Sequence, residues 1–302
     1  MEIDRHWNPF SNDSPDTQRF RLVRKFLNLP RIPRVWYLED RIREPTANEI
    51  NLILRPYRSD NVRKVAWAIW RERHSFPVLL RTHYNPDMPV HNAMMNNWIN
   101  VGQYISQLAP WAVINDPDFF GIPESDNTRA PSVDWRRVSF KLPEAAGPEA
   151  ILTDGDDTVR WRDLPPWYRY KRGLFKAQLA FEKKCKPYEW LADPKQMIEM
   201  CAAGVQFGVC AMVLIVVDKD AFDTGCPLLM YVDHFQQPIR STRFVLNEKS
   251  LNAIVLDWSR GLLTPWMWEE SEVGDNYKAD GEVGKVLYQL NQTDMTLPGT
   301  LR

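Results

Sequence analysis

"VCAMVLIVVDKD", residues 209–220, is the stretch on which the fold turns. Its apolar part is too short to cross a bilayer, which takes about 20 residues. No polar residue interrupts Val209 to Val217, so an alternating pattern with one wet face is ruled out. A continuous run of strand length predicts a strand covered on both faces. The neighbouring segments supply that cover. Upstream, "DPKQMIEMCAAGVQFG" opens with Asp193 as a cap and Pro194 at the first helical position, as helix starts prefer. Before it, "YRYKRGLFKAQLAFEKKC" reads as a helix with Leu174, Ala177, Gln178 and Phe181 on one face. Downstream, "PLLMYVDHF" and "STRFVLN" are expected as strands joined by "QQPIR", and Asn247 caps the helix "EKSLNAIVLDW". From Ser271, "SEVGDNYKADGEVG" is polar and reads as loose.

The first half has its own periodicities. "TQRFRLVRKFL" sets Phe20, Val23, Phe26 and Leu27 on one helical face. "RVWYLED" and "EINLILRPY" are expected as strands, the second because Ile50, Leu52 and Leu54 alternate with Asn51 and Arg55. Asp60 is expected to cap a helix bearing Val62, Val65, Ala66 and Ile69, and "FPVLL" returns as a strand. Met94, Trp98, Val101, Ile105 and Leu108 then mark a helix from Pro89 that Pro110 ends. Residues 116–166 are punctuated by proline and carry "TDGDD" at 153–157, which reads as a turn rather than a calcium loop. The expected class is α+β, with mixed sheet flanked by amphipathic helices and a long Pro/Asp-rich excursion in mid-chain. The expected division is an α/β-type subdomain at 1–115, a linker or insertion at 116–166, a helical pair with sheet at 167–270, and a polar tail at 271–302.

Composition bounds the function. The 302 residues carry a formal charge of -1, which removes a global electrostatic argument for nucleic acid or anionic membrane. The four cysteines form no CxxC pair, and the start "MEIDRHWNPF" lacks the pattern of a secretory signal. A soluble intracellular protein, cytoplasmic or nuclear, with reduced thiols is therefore expected. Cys201 and Cys210 lie in apolar surroundings where a thiol is normally inert. Thirteen tryptophans make the chain tryptophan-rich, and such side chains anchor interfaces when they are not in the core.

Three stretches carry residues with chemical potential. In "HYNPDMPVHN", residues 83–92, His83, Asp87 and His91 have the make-up of a two-histidine, one-carboxylate metal set. Pro86 and Pro89 oppose a helix through them, so the spacing is not expected to bring them together, and loop and cap roles are preferred to a metal. In "RWRDLPPWYRYKRGLFK", the basic Arg160, Arg162, Arg169, Lys171 and Arg172 interleave with Trp161, Trp167, Tyr168 and Tyr170. Guanidinium and ammonium groups neutralise phosphates while aromatic faces stack on unpaired bases, so residues 160–176 are a candidate surface for single-stranded nucleic acid or an acidic partner. The third is acidic: Asp218 and Asp220 alternate onto one strand face, with Asp233 and His234 in the next strand. A strand carrying D-x-D, followed by two strands and a helix, resembles the opening of a ribonuclease-H-like nuclease. That resemblance implies a carboxylate set holding Mg²⁺ or Mn²⁺ for phosphodiester hydrolysis. The rest of such a fold would have to follow Trp258, where the chain is short and mostly polar.

Fingerprints for dinucleotide, P-loop, zincin, hydrolase-elbow and deaminase chemistry are absent from the sequence. The sequence is thus read as that of a binding or assembly protein, with a protein partner or self-association, single-stranded nucleic acid as a further partner, and no membrane. No cofactor is favoured. The alternative is a metal-dependent phosphodiesterase using Asp218, Asp220 and Asp233.

Overall fold

The computed structural model describes residues 6–29, 46–72, 76–85, 87–105, 111–117, 134–146, 166–233, 236–259, 262 and 264–288. Its centre is one mixed sheet in the order β2-β1-β3-β4-β5-β6, formed by β1 (Val78–Arg81), β2 (Ala112–Ile114), β3 (Cys210–Val217), β4 (Leu228–Asp233), β5 (Pro238–Arg243) and β6 (Glu272–Val273). Strand β1 runs parallel to both β2 and β3, whereas β3, β4, β5 and β6 pair antiparallel in turn. The α+β class expected from the sequence is the class observed. Two strands preceding the proline-rich excursion and four following it share hydrogen bonds in this single sheet.

The apolar run behaves as its composition requires. Val213, Ile215 and Val217 enter one core, and Met212, Leu214 and Val216 the other. On the first face lie the helices α4 (Pro89–Ile105), α6 (Pro166–Cys185), α8 (Pro194–Gly208) and α10 (Glu248–Ser259), which contribute Met95, Phe175, Val205 and Val255 among others. The second face is covered by α3 (Asp60–Glu72) and by residues 138–145, where the short α5 (Val138–Lys141) adds Val138. A smaller cluster joins α1 (Pro15–Leu27) and α2 (Ala47–Leu54) through Val23, Leu27, Leu54 and Phe140. Between α6 and α8 sits the one-turn α7 (Pro187–Ala192), whose Trp190 is buried. Asp193 caps α8 by accepting from the Gln196 amide at 3.0 Å, and Asn247 caps α10 by accepting from Ser250 at 3.0 Å, both as expected.

Elsewhere the structure corrects the sequence. "EINLILRPY" is helical: α2 starts on a capping box in which Thr46 and Glu49 bond each other's amides at 2.8 and 3.2 Å. Ile50 and Leu54 are also four apart, so the same residues satisfy a helix, and Leu52 is left 67% exposed. Helix α3 is capped one residue earlier than expected, by Ser59 rather than Asp60. On α6 the inward residues are Phe175 and Leu179, while Ala177 is exposed and Phe181 is 60% exposed, because two apolar rows of equal spacing compete for the core. Strand β5 begins at Pro238, inside the stretch read as a turn, and covers only the first part of "STRFVLN".

The segment from Ser271 is also built in. Past α11 (Pro265–Glu269) it forms β6 and then α12 (Glu282–Tyr288), and Tyr277, Val283 and Leu287 are buried in the main core. Those three apolar residues are too sparse among polar ones to register as a pattern. "RVWYLED" and "TDGDD" lie outside the described residues. No helix among the described residues is long and apolar enough to cross a membrane.

Candidate functional site

The parallel strands β2, β1 and β3 all end on the same edge of the sheet, the edge at which open sheets with parallel strands receive ligands. Arg81 is the last residue of β1. Leu79 faces the main core, and a period of two puts Arg81 on that same face. Pairing continues one step further, with the Thr82 amide donating to the Val217 carbonyl at 3.0 Å. The chain then turns through His83 and Tyr84 into α4, whose first turn carries His91 and Asn92. Asn115 follows β2 directly. After β3, Asp218 caps the short helix α9 (Lys219–Thr224), which brings Phe222 inward and closes on Gly225 in the left-handed region at φ 77°.

These residues enclose a guanidinium. Arg81 is only 3% exposed. Its Nε donates to the His83 carbonyl at 2.8 Å, and its Nη1 donates to Asn92 Oδ1 at 2.7 Å and to Asn115 Oδ1 at 3.4 Å. Its Cζ lies 4.6 Å from the centre of the Tyr84 ring and 5.1 Å from that of Phe222, within reach of both π faces. The Tyr84 hydroxyl donates to the Arg81 carbonyl at 3.2 Å, and burial pushes its pKa far above the ordinary tyrosine value. No carboxylate among the described residues reaches Arg81. Burial accordingly lowers the pKa of this guanidinium from its ordinary value.

Two histidines lie against the same Phe222 ring. The His91 ring stacks on Phe222 at 4.2 Å with planes 9° apart, and His83 lies 5.8 Å from His91 and 6.2 Å from Phe222. Both are buried, and both leave Nδ1 enclosed without a hydrogen-bond partner among the described residues. Burial is the first cause holding His83 below its ordinary pKa of 6.5, followed by His91, Lys219 and Arg81, so His83 is neutral at pH 7. A proton that unfolded His83 accepts near pH 6.5 is refused by the folded form. Stability is therefore complete above that pH and falls as pH drops below it, until the folded imidazole is itself protonated. Chemical denaturation between about pH 5 and 7 is expected to show this slope flattened in His83→Gln. An unchanged slope would remove His83 from the account.

The structure therefore brings His83 and His91 together, against the sequence expectation, because the loop folds back so that a residue just past β1 meets the first turn of α4. Asp87 stays exposed, its amide taken by Asn85 Oδ1 at 3.0 Å, which is turn chemistry. Among the described residues no group of three His, Cys, Asp or Glu side chains is placed to hold a metal.

The acidic residues are dispersed. Asp218 accepts from the Ala221 amide at 2.8 Å and takes both ends of Arg243 at 3.0 and 2.7 Å, and Asp220 lies 3.3 Å from the same guanidinium. Asp233 pairs with Cys210 at the opposite end of β3, eight residue steps from Asp218 and so roughly 26 Å from it at about 3.3 Å per step. Fully buried, it accepts from the Gln237 amide at 2.9 Å and the Tyr277 hydroxyl at 2.7 Å. Asp233 does not join the other two around a shared cation. His234 lies outside the described residues, as do Arg160, Trp161 and Arg162. Trp167, Tyr168, Arg169, Tyr170, Lys171 and Arg172 fall in the first turns of α6, with side chains outside the description.

All four cysteines are free, and burial first of all pushes the Cys201 thiol up to about 11. No family model, curated protein or solved structure matches the chain.

Proposed function

We propose that the chain is a binding protein, and that the edge formed by Arg81, His83, His91, Asn92 and Asn115 receives a carboxylate or phosphate group of its ligand. The observation carrying this reading is the buried Arg81 guanidinium with no carboxylate among the described residues. Enclosing a cation is costly unless an anion answers it, and a guanidinium fork matches carboxylate and phosphate oxygens. The two asparagines fix the fork through Nη1, and Nη2 donates to no described residue. His83, neutral and so protonated on one ring nitrogen, adds a donor that an anion accepts from without a second charge being buried.

An anion bound only by the folded chain raises its melting temperature with concentration. Sodium phosphate or sodium acetate, against sodium chloride at equal ionic strength, is expected to give such a rise in the wild type, with a smaller one in Arg81→Met. Equal rises in the two proteins would place the anion elsewhere and sink the reading.

The basic and aromatic stretch 160–176 supports a second contact, with single-stranded nucleic acid or an acidic partner. Fluorescence anisotropy with a short labelled oligonucleotide is expected to show salt-sensitive binding that weakens in the double variant Arg169→Ala, Lys171→Ala. Salt-insensitive or absent binding removes that contact. The carboxylate reading retains only Asp218 and Asp220 as neighbours, both already committed to Arg243.

A further inference from the structure

A second feature lies on the opposite side of the sheet from the main core, where α2, α3 and residues 143–146 meet. They form a cleft of about 230 Å³ lined by Asn51, Arg55, Arg58, Arg63, Trp67 and Glu144, over the buried Ala66. Three guanidinium groups face one carboxylate there, and that carboxylate is already spent on Arg58.

The state of Arg58 is informative. Its side chain is fully enclosed, and one edge is used completely: Nε donates to the Lys141 carbonyl at 2.6 Å and Nη2 to both Glu144 oxygens at 3.0 and 2.7 Å. The other edge ends in Nη1, which is buried with no acceptor among the described residues. A buried charged donor left unmatched is destabilising, and each such group asks for an explanation. Arg55 is exposed at the mouth with no ion pair among the described residues, while Arg63 pairs through Nη2 with the exposed Asp60. Trp67 stands beside them 58% exposed, its indole open at the cleft.

We propose that this cleft binds a small phosphate monoester, its phosphate held by Arg55 and Arg63 with the Nη1 side of Arg58 beneath it, and its organic part laid against the Trp67 indole. Guanidinium forks grip phosphate oxygens in pairs, and an indole face offers stacking to a planar group. The volume is below the range of about 300–1,000 Å³ typical of drug-sized ligands, so the occupant is small. This site is separate from the Arg81 edge and stands whether or not that edge binds an anion.

The test uses phenyl phosphate as probe, with inorganic phosphate and phenol as its two halves, read by the indole N–H resonance of Trp67, assigned through its loss in Trp67→Phe. Phenyl phosphate is expected to shift that resonance saturably and to bind at least tenfold more tightly than either half. Arg55→Gln with Arg63→Gln, both on exposed or half-buried surface, is expected to weaken phenyl phosphate at least tenfold while leaving the fold intact by circular dichroism. Trp67→Ala, followed by calorimetry, is expected to bring phenyl phosphate down to the affinity of inorganic phosphate. No shift of the Trp67 resonance with phenyl phosphate, or a shift that persists unchanged in the double arginine variant, overturns the proposal.

Discussion

Replacing Arg58 with methionine is expected to cost about 3–5 kcal/mol of folding stability, the range for breaking a buried ion pair from one side. The partner left behind is Glu144, whose side chain is 5% exposed and would be stranded as an unpaired carboxylate under α2 and α3. The pair spans 86 residues of sequence and ties the turn after α2 to residues 143–146, so its loss loosens both. Thermal melting is expected to shift by the order of 10 °C for a chain of this size. The double variant Arg58→Met, Glu144→Leu removes both charges and is expected to recover most of the loss, leaving mainly the unanswered Lys141 carbonyl. A double-mutant cycle with purely additive costs would show that the two side chains do not act as a pair.

How far the sequence carried this structure depended on whether one local signal had a single solution. The run from Val209 to Val217 did, because an uninterrupted apolar stretch fits only a strand buried on both faces. Asp193 followed by Pro194 did as well, since a cap and a proline at the first helical position agree. Ile50, Leu52 and Leu54 did not, because three residues at a spacing of two also contain a spacing of four, and the Thr46–Glu49 box that decides the matter lies just upstream. Tyr277 and Leu287 are buried by contacts with β4 and the distant helices, which no local pattern encodes.

The site was legible only in part. "HYNPDMPVHN" contains both histidines, but spacing along the loop does not encode the reversal of the chain that sets His83 against His91. Arg81 does not stand out in the sequence because it ends an apolar strand, where a charge is ordinarily the first solvated residue. Its partners Asn92, Asn115 and Phe222 come from three other elements, and only the sheet order brings them to one edge. An arginine closing "PVLL" and followed by "THY" was the available signal: a charge at the end of a fully apolar strand flanked by further hydrogen-bonding side chains.

Arg81 therefore bears the central claim, and the largest functional effect is expected there. Arg81→Met keeps volume and apolar stem while removing the fork. Two opposing effects bear on the fold: the cost of burying a cation is relieved, and the His83 carbonyl and two asparagine oxygens lose their donor. Binding is the cleaner readout. Removing one partner of a buried, hydrogen-bonded charge contact costs about 2–5 kcal/mol, a loss of affinity of roughly 30-fold or more. Arg81→Lys is expected to recover little, since an ammonium presents no planar fork to an anion or to the Tyr84 and Phe222 rings.

The most direct measurement follows the imidazole resonances of His83 and His91 by nitrogen-resolved NMR during titration with acetate or phosphate at constant pH and ionic strength. In the wild type both sets of resonances are expected to move saturably with the anion and not with chloride, and in Arg81→Met to stay where they are. Resonances that ignore both anions in the wild type, or that move equally in Arg81→Met, would contradict the assignment of this edge as an anion site.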